Sequence, residues 1–158
     1  MFRTVAAAAL ALFLSTAAWA ETPTPQLMGD RLRAGELKLL EQDLGARLAT
    51  SPQDDQARFA LGTTQFLRTI EGMAQAMYRH GLELPRGFQQ QMPFFRFPVP
   101  TNPSPEPLDY DKLRQVFLTA LEGFAASEAT LAKMGQTDVK LPIAIGLARL
   151  SGRVRGAR

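Results

Sequence analysis

A chain of 158 residues with 18 Lys/Arg, 15 Asp/Glu, a net charge of +3 and no cysteine is sized for about one domain. Its charge balance is not that of a nucleic-acid-binding surface, and without cysteine it builds neither a disulfide framework nor a thiol site. Packing alone has to hold it together.

The first twenty residues read as a cleavable signal peptide. Met1, Phe2 and Arg3 give a short basic start, residues 5–17 an apolar run rich in Ala and Leu, and Ala18-Trp19-Ala20 the small-x-small pattern of a signal peptidase site. The apolar run is shorter than the roughly twenty residues a bilayer-spanning helix needs, so no stable membrane span is expected after cleavage. Cleavage after Ala20 leaves a chain from Glu21 in the periplasm or outside the cell, with the bacterial periplasm preferred. It would carry 17 basic and 15 acidic residues, five of the basic ones at Lys140, Arg149, Arg153, Arg155 and Arg158.

Residues 21–150 read as a single all-helical domain. Residues 21–26, ETPTPQ, are expected to form an extended leader, because two prolines in five residues oppose helix. Leu37, Leu40, Leu44 and Leu48 then mark a helical stripe within residues 27–49, with Asp30 a candidate cap and Gly35 and Gly45 as weak points. Ser51-Pro52 followed by Asp54 and Asp55 predicts a new helix with Ser51 as N-cap and Pro52 at its first position. In residues 54–77, Phe59, Phe66, Ile70, Met73 and Met77 form the strongest apolar stripe of the chain. Periodicity there allows one helix to Arg79 or two antiparallel halves breaking near residues 67–69. His80-Gly81 suits a helix end, which assigns the only histidine a capping role.

Residues 51–78 resemble one copy of a tetratricopeptide repeat. Ala57, Leu61 and Gly62 stand at the small, Leu and Gly positions of its first helix, and Ala74 and Tyr78 at the packing positions of its second. Leu40, Leu44 and Pro52 resemble the end of a preceding copy, whereas Arg58, Gln65 and Gly81 depart from the family pattern. The resemblance implies a helical hairpin whose concave side receives a peptide or protein partner.

Residues 92–107 form a proline-rich connector with prolines at 93, 98, 100, 103, 105 and 107. Phe94, Phe95 and Phe97 are either a cover over the helical core or an exposed partner-binding patch, and residues 101–106 read as an exposed polyproline-like linker. A last long helix is expected over residues 109–134, capped by Asp109 or Asp111 and closed by Gly135. Its predicted inner face is Leu113, Phe117, Ala120, Phe124 and Leu131, broadened by Val116 and Leu121, with its aromatics meeting Phe59 and Phe66. Residues 139–150 suggest a short final helix, and residues 151–158 a basic disordered tail.

No catalytic, cofactor-binding or metal-ligating set emerges. One histidine without cysteine does not make the usual metal or nucleophilic site, and the acidic residues lack the spacing and central Gly of a calcium loop. The sequence therefore points to an exported helical interaction or scaffold module with a protein or peptide partner. A small-ligand carrier or enzyme with a pocket between helices is one alternative, and a structural protein of no separable activity is the other.

Overall fold

Four α-helices account for the regular structure of the computed structural model, which describes residues 22–82, 99–135 and 138–142; no strand occurs among them. They are α1 (Thr24–Ala34), α2 (Leu37–Thr50), α3 (Asp55–Arg79) and α4 (Tyr110–Leu131). The predicted signal peptide lies outside the described residues. None of the helices described is long and apolar enough to cross a membrane.

The expected extended leader and single helix over residues 27–49 are both corrected. Helix α1 starts at Thr24 and carries Pro25 in its first turn, where a missing N–H removes no intrahelical bond. Gly35 then ends it in the left-handed conformation (φ 72°), its N–H donating to Leu32 O, and α2 starts two residues later. The pair is tied by Arg31, which donates to Glu36 Oε2 (2.5 Å) and Asp43 Oδ2 (3.0 Å). Hydrogen bonding to Glu36 first, then to Asp43, holds the Arg31 guanidinium pKa above its ordinary value. At the other end of α1 the buried Arg47 donates to Thr24 Oγ1 and to the Thr22 carbonyl, both at 2.5 Å. These contacts run in opposite chain directions, so α1 and α2 are antiparallel.

The boundary before α3 is also displaced. Residues 51–54 form a turn in which Asp54 N donates to Ser51 O (3.1 Å), and Asp54 rather than Ser51 caps the helix by accepting from Ala57 N at 2.9 Å. Helix α3 then runs unbroken for 25 residues, roughly 37 Å at 1.5 Å per residue. The helical hairpin within residues 51–78 implied by the repeat resemblance is thus absent; the hairpin here is α2 against α3. Met28, Leu40, Leu44, Ala57 and Ala60 form a buried cluster among α1, α2 and α3, with Leu27, Leu48, Leu61 and Leu141 packed around it.

Helix α4 packs on α3 alone among the described helices. Asp55 faces Gly135, Gly62 faces Ser127, Phe66 faces Phe124 and Thr69 faces Gly123. Partner numbers fall as α3 numbers rise, so this pair is antiparallel as well. Asp109 caps α4 as expected by accepting from Lys112 N at 2.8 Å. The cap at the other end is Ala132 and not Gly135.

The inner face of α4 is rotated from the predicted one. Ala120 and Ser127 are buried and Phe124 is half-buried, whereas Phe117 is 54 % and Leu121 63 % exposed. Small residues set this orientation: a Cβ on Gly123 would collide with Thr69, and one on Gly62 would come within 2.6 Å of Leu131. Close helix approach therefore follows the Ala120, Gly123, Ser127 row rather than the bulkiest side chains. The expected meeting of aromatics holds for Phe66 and Phe124, whose ring centroids are 5.5 Å apart.

Residues 101–106 are mostly exposed, as expected, yet they are anchored. Asn102 Nδ2 donates to the Tyr78 (2.9 Å) and Arg79 (3.2 Å) carbonyls, and Glu106 N donates to Arg79 O at 2.9 Å. The connector thereby satisfies carbonyls that the end of α3 leaves without intrahelical donors. Residues 138–142 are not helical; of the final helix expected over residues 139–150 only residues 139–142 are described.

Candidate functional site

The C-terminal half of α3 and the N-terminal half of α4 border a groove of about 660 Å³. It is lined by Gly72, Met73 and Ala76 from α3 and by Val116, Ala120 and Gly123 from α4. The depth has a local cause. Glycine and alanine on both helices leave volume that longer side chains would fill, while the Gly123 contact with Thr69 fixes the two backbones close together below it.

Charged groups line the rim. Arg68 is paired with Glu41 of α2 at one edge, while Arg79, Lys112 and Glu106 lie toward the connector end. Lys112 Nζ donates to the Pro107 carbonyl at 3.0 Å and lies 3.7 Å from Asp109 Oδ2. His80 occupies the cap of α3, its Nδ1 3.1 Å from the Glu106 carbonyl oxygen, and Gly81 follows in the left-handed conformation (φ 63°). This is the capping position expected from His80-Gly81.

One polar atom of the lining is left over. The Gln65 amide oxygen is buried without a hydrogen-bond partner among the described residues, although the backbone carbonyl of the same residue accepts from Thr69 Oγ1 at 2.9 Å. A buried acceptor left unpaired carries a desolvation cost of about 1–3 kcal/mol. Gly72, Gln115, Thr119 and Ala126 are solvent-exposed along the walls, so the groove is open rather than enclosed.

At the opposite end of α3 a smaller recess of about 320 Å³ is lined by Asp54, Asp55 and Asp138. Two of these carboxylates have structural duties, Asp54 as the cap of α3 and Asp55 as acceptor from Gly135 N at 3.1 Å. Among the described residues no group of three His, Cys, Asp or Glu side chains is arranged to hold a metal ion.

Phe94, Phe95 and Phe97, the partner-binding residues suggested by the sequence, lie outside the described residues. Sequence reasoning noticed Gln65 only as a departure from a repeat pattern and Ala120 only as a core position. The signal for the groove was present as small residues at helical spacing, Gly72 and Ala76 on one helix and Ala120 and Gly123 on the other. Which helices face each other had to be known before those rows acquired a meaning.

No family model matches the chain, and neither curated proteins nor solved structures give a match. The class defined here is an all-α chain of four helices among the described residues, with an open interhelical groove.

Proposed function

We propose that the chain is an exported interaction module, working in the periplasm or outside the cell, that holds an extended segment of a partner protein in the groove between α3 and α4. The observation that carries this reading is the open, mostly apolar groove itself, with Gln65, whose amide oxygen has no hydrogen-bond partner among the described residues, among its lining side chains. A peptide brings backbone N–H donors together with side chains that cover apolar surface, and extended segments are commonly held in this way. The rim carries both signs of charge, which suits a mixed polypeptide better than a uniformly charged polymer.

The tetratricopeptide likeness belongs to this proposal in a reduced form. Ala57 and Gly62, two of the residues that carry it, are buried small residues, and such repeats also present a helical groove to a peptide. A small-ligand carrier would be better served by an enclosed cavity than by walls exposed at Gly72, Gln115 and Thr119.

The test is a selection of displayed random peptides on the chain, followed by affinity measurements on a Gly72→Leu variant. Nothing lies within 4 Å of a Cβ at Gly72, so a leucine there projects into the groove without disturbing the fold. Loss of at least tenfold in affinity at unchanged melting temperature is expected. Peptides bound equally well by the variant would contradict the proposal.

A further inference from the structure

The side of α4 turned away from the groove carries apolar residues on which no other described helix packs. Tyr110 is 77 %, Phe117 54 % and Leu121 63 % exposed, with Leu118 at the margin. Phe66, itself exposed and set against Phe124, borders the same patch. Helix α4 has α3 as its only helical neighbour among those described, so no described helix packs on this face.

The order of residues along the face specifies an occupant. Arg114, Leu121 and Glu128 recur every seven residues and so share one row of the helix, with Phe117 and Ala125 one turn to either side of Leu121. All five are exposed. Neither Arg114 nor Glu128 has an ion-pair partner among the described residues. Turning the row through a two-fold axis at Leu121 sets Arg114 opposite Glu128, Phe117 opposite Ala125, and Leu121 opposite itself. Each charge meets its opposite, and the largest side chain meets the smallest. Parallel pairing would instead place Arg114 on Arg114 and Glu128 on Glu128.

We propose that this face binds a second copy of the chain, α4 against α4 in antiparallel orientation, in a closed two-fold dimer centred on Leu121. A single helix face buries less than the roughly 800 Å² per partner of a standard interface. The dimer is accordingly weak and concentration-dependent. The groove lies on the other side of α4 and stays accessible in it.

Sedimentation equilibrium of the chain over about 10 µM to 1 mM tests this. The average mass should rise from that of one chain toward twice that value. Leu121→Asp should abolish the rise with no change in the melting curve. Arg114→Glu and Glu128→Arg should each weaken association at least tenfold by creating like-charge pairs, and the double variant, with complementarity restored, should return to within about threefold of the original. A mass constant at that of the monomer, a dimer that survives Leu121→Asp, or a double variant no better than the single ones would overturn the proposal. So would a lowered melting temperature for Leu121→Asp, since the face would then be covered by the chain's own residues.

Discussion

Gly123 and Gly45 are both helical glycines, yet they call for opposite substitution outcomes. A Cβ at Gly45 meets nothing within 4 Å, whereas one at Gly123 collides with the Thr69 side chain, whose hydroxyl is already committed to the Gln65 carbonyl. Gly45→Ala should therefore stabilise by about 0.5–1 kcal/mol, the ordinary helix-propensity gain. Gly123→Ala should lose that gain to overpacking of about 1–3 kcal/mol and come out destabilised by about 1 kcal/mol. Urea midpoints of the two variants measure both signs, and stabilisation by Gly123→Ala would show that α3 and α4 are farther apart than described. At this scale the sequence was readable where one residue type has one use: Asp109 caps α4, and His80-Gly81 ends α3. It misled at Ser51-Pro52, because the turn closed by Ser51 O and Asp54 N offers a second capping residue three positions later. Asp54 then accepts the first-turn bond for which Ser51 also had the chemistry.

Helices are legible in a sequence mainly through periodicity, and periodicity reports that a face exists before it reports which neighbour selects it. The Leu37, Leu40, Leu44 stripe is buried as read, because α2 has partners on that whole face. On α4 the apolar residues span more of the helix than one neighbour can cover. The contact goes to the row holding Ala120, Gly123 and Ser127, which leaves Phe117 and Leu121 exposed. Ser127 contributes a buried hydroxyl that donates to Gly62 O at 2.8 Å across the two helices. Ser127→Ala should cost about 0.5–1.5 kcal/mol, the usual net value of such a bond. Phe124→Ala should cost more, about 2 kcal/mol, through lost burial of a half-exposed ring and of its contact with Phe66. Phe117→Ala should cost less than either. Thermal melts of the three variants give the ranking, and a Phe117 loss exceeding that of Phe124 would restore the face read from the sequence.

Across the whole molecule, α3 is the element on which the others depend, since α1, α2 and α4 all pack against it and the connector anchors to its end through Asn102. Its strength as a stripe was evident in the sequence; its role as one wall of a groove was not, because the other wall begins thirty-one residues after its last residue, at Tyr110. Export is a separate proposal with its own check. Protein recovered from an exporting cell should have an intact mass corresponding to a first residue at Glu21, and a chain retaining Met1 in the membrane fraction would make it a tethered protein instead. The groove is tested most directly by amide chemical-shift mapping during titration with a peptide from the selection. The expected shifts concentrate on Gln65, Thr69 and Gly72 of α3 and on Val116, Ala120 and Gly123 of α4. Shifts confined to Tyr110, Phe117 and Leu121, or to the cluster around Met28 and Leu44, would contradict the assignment of the groove as the binding site.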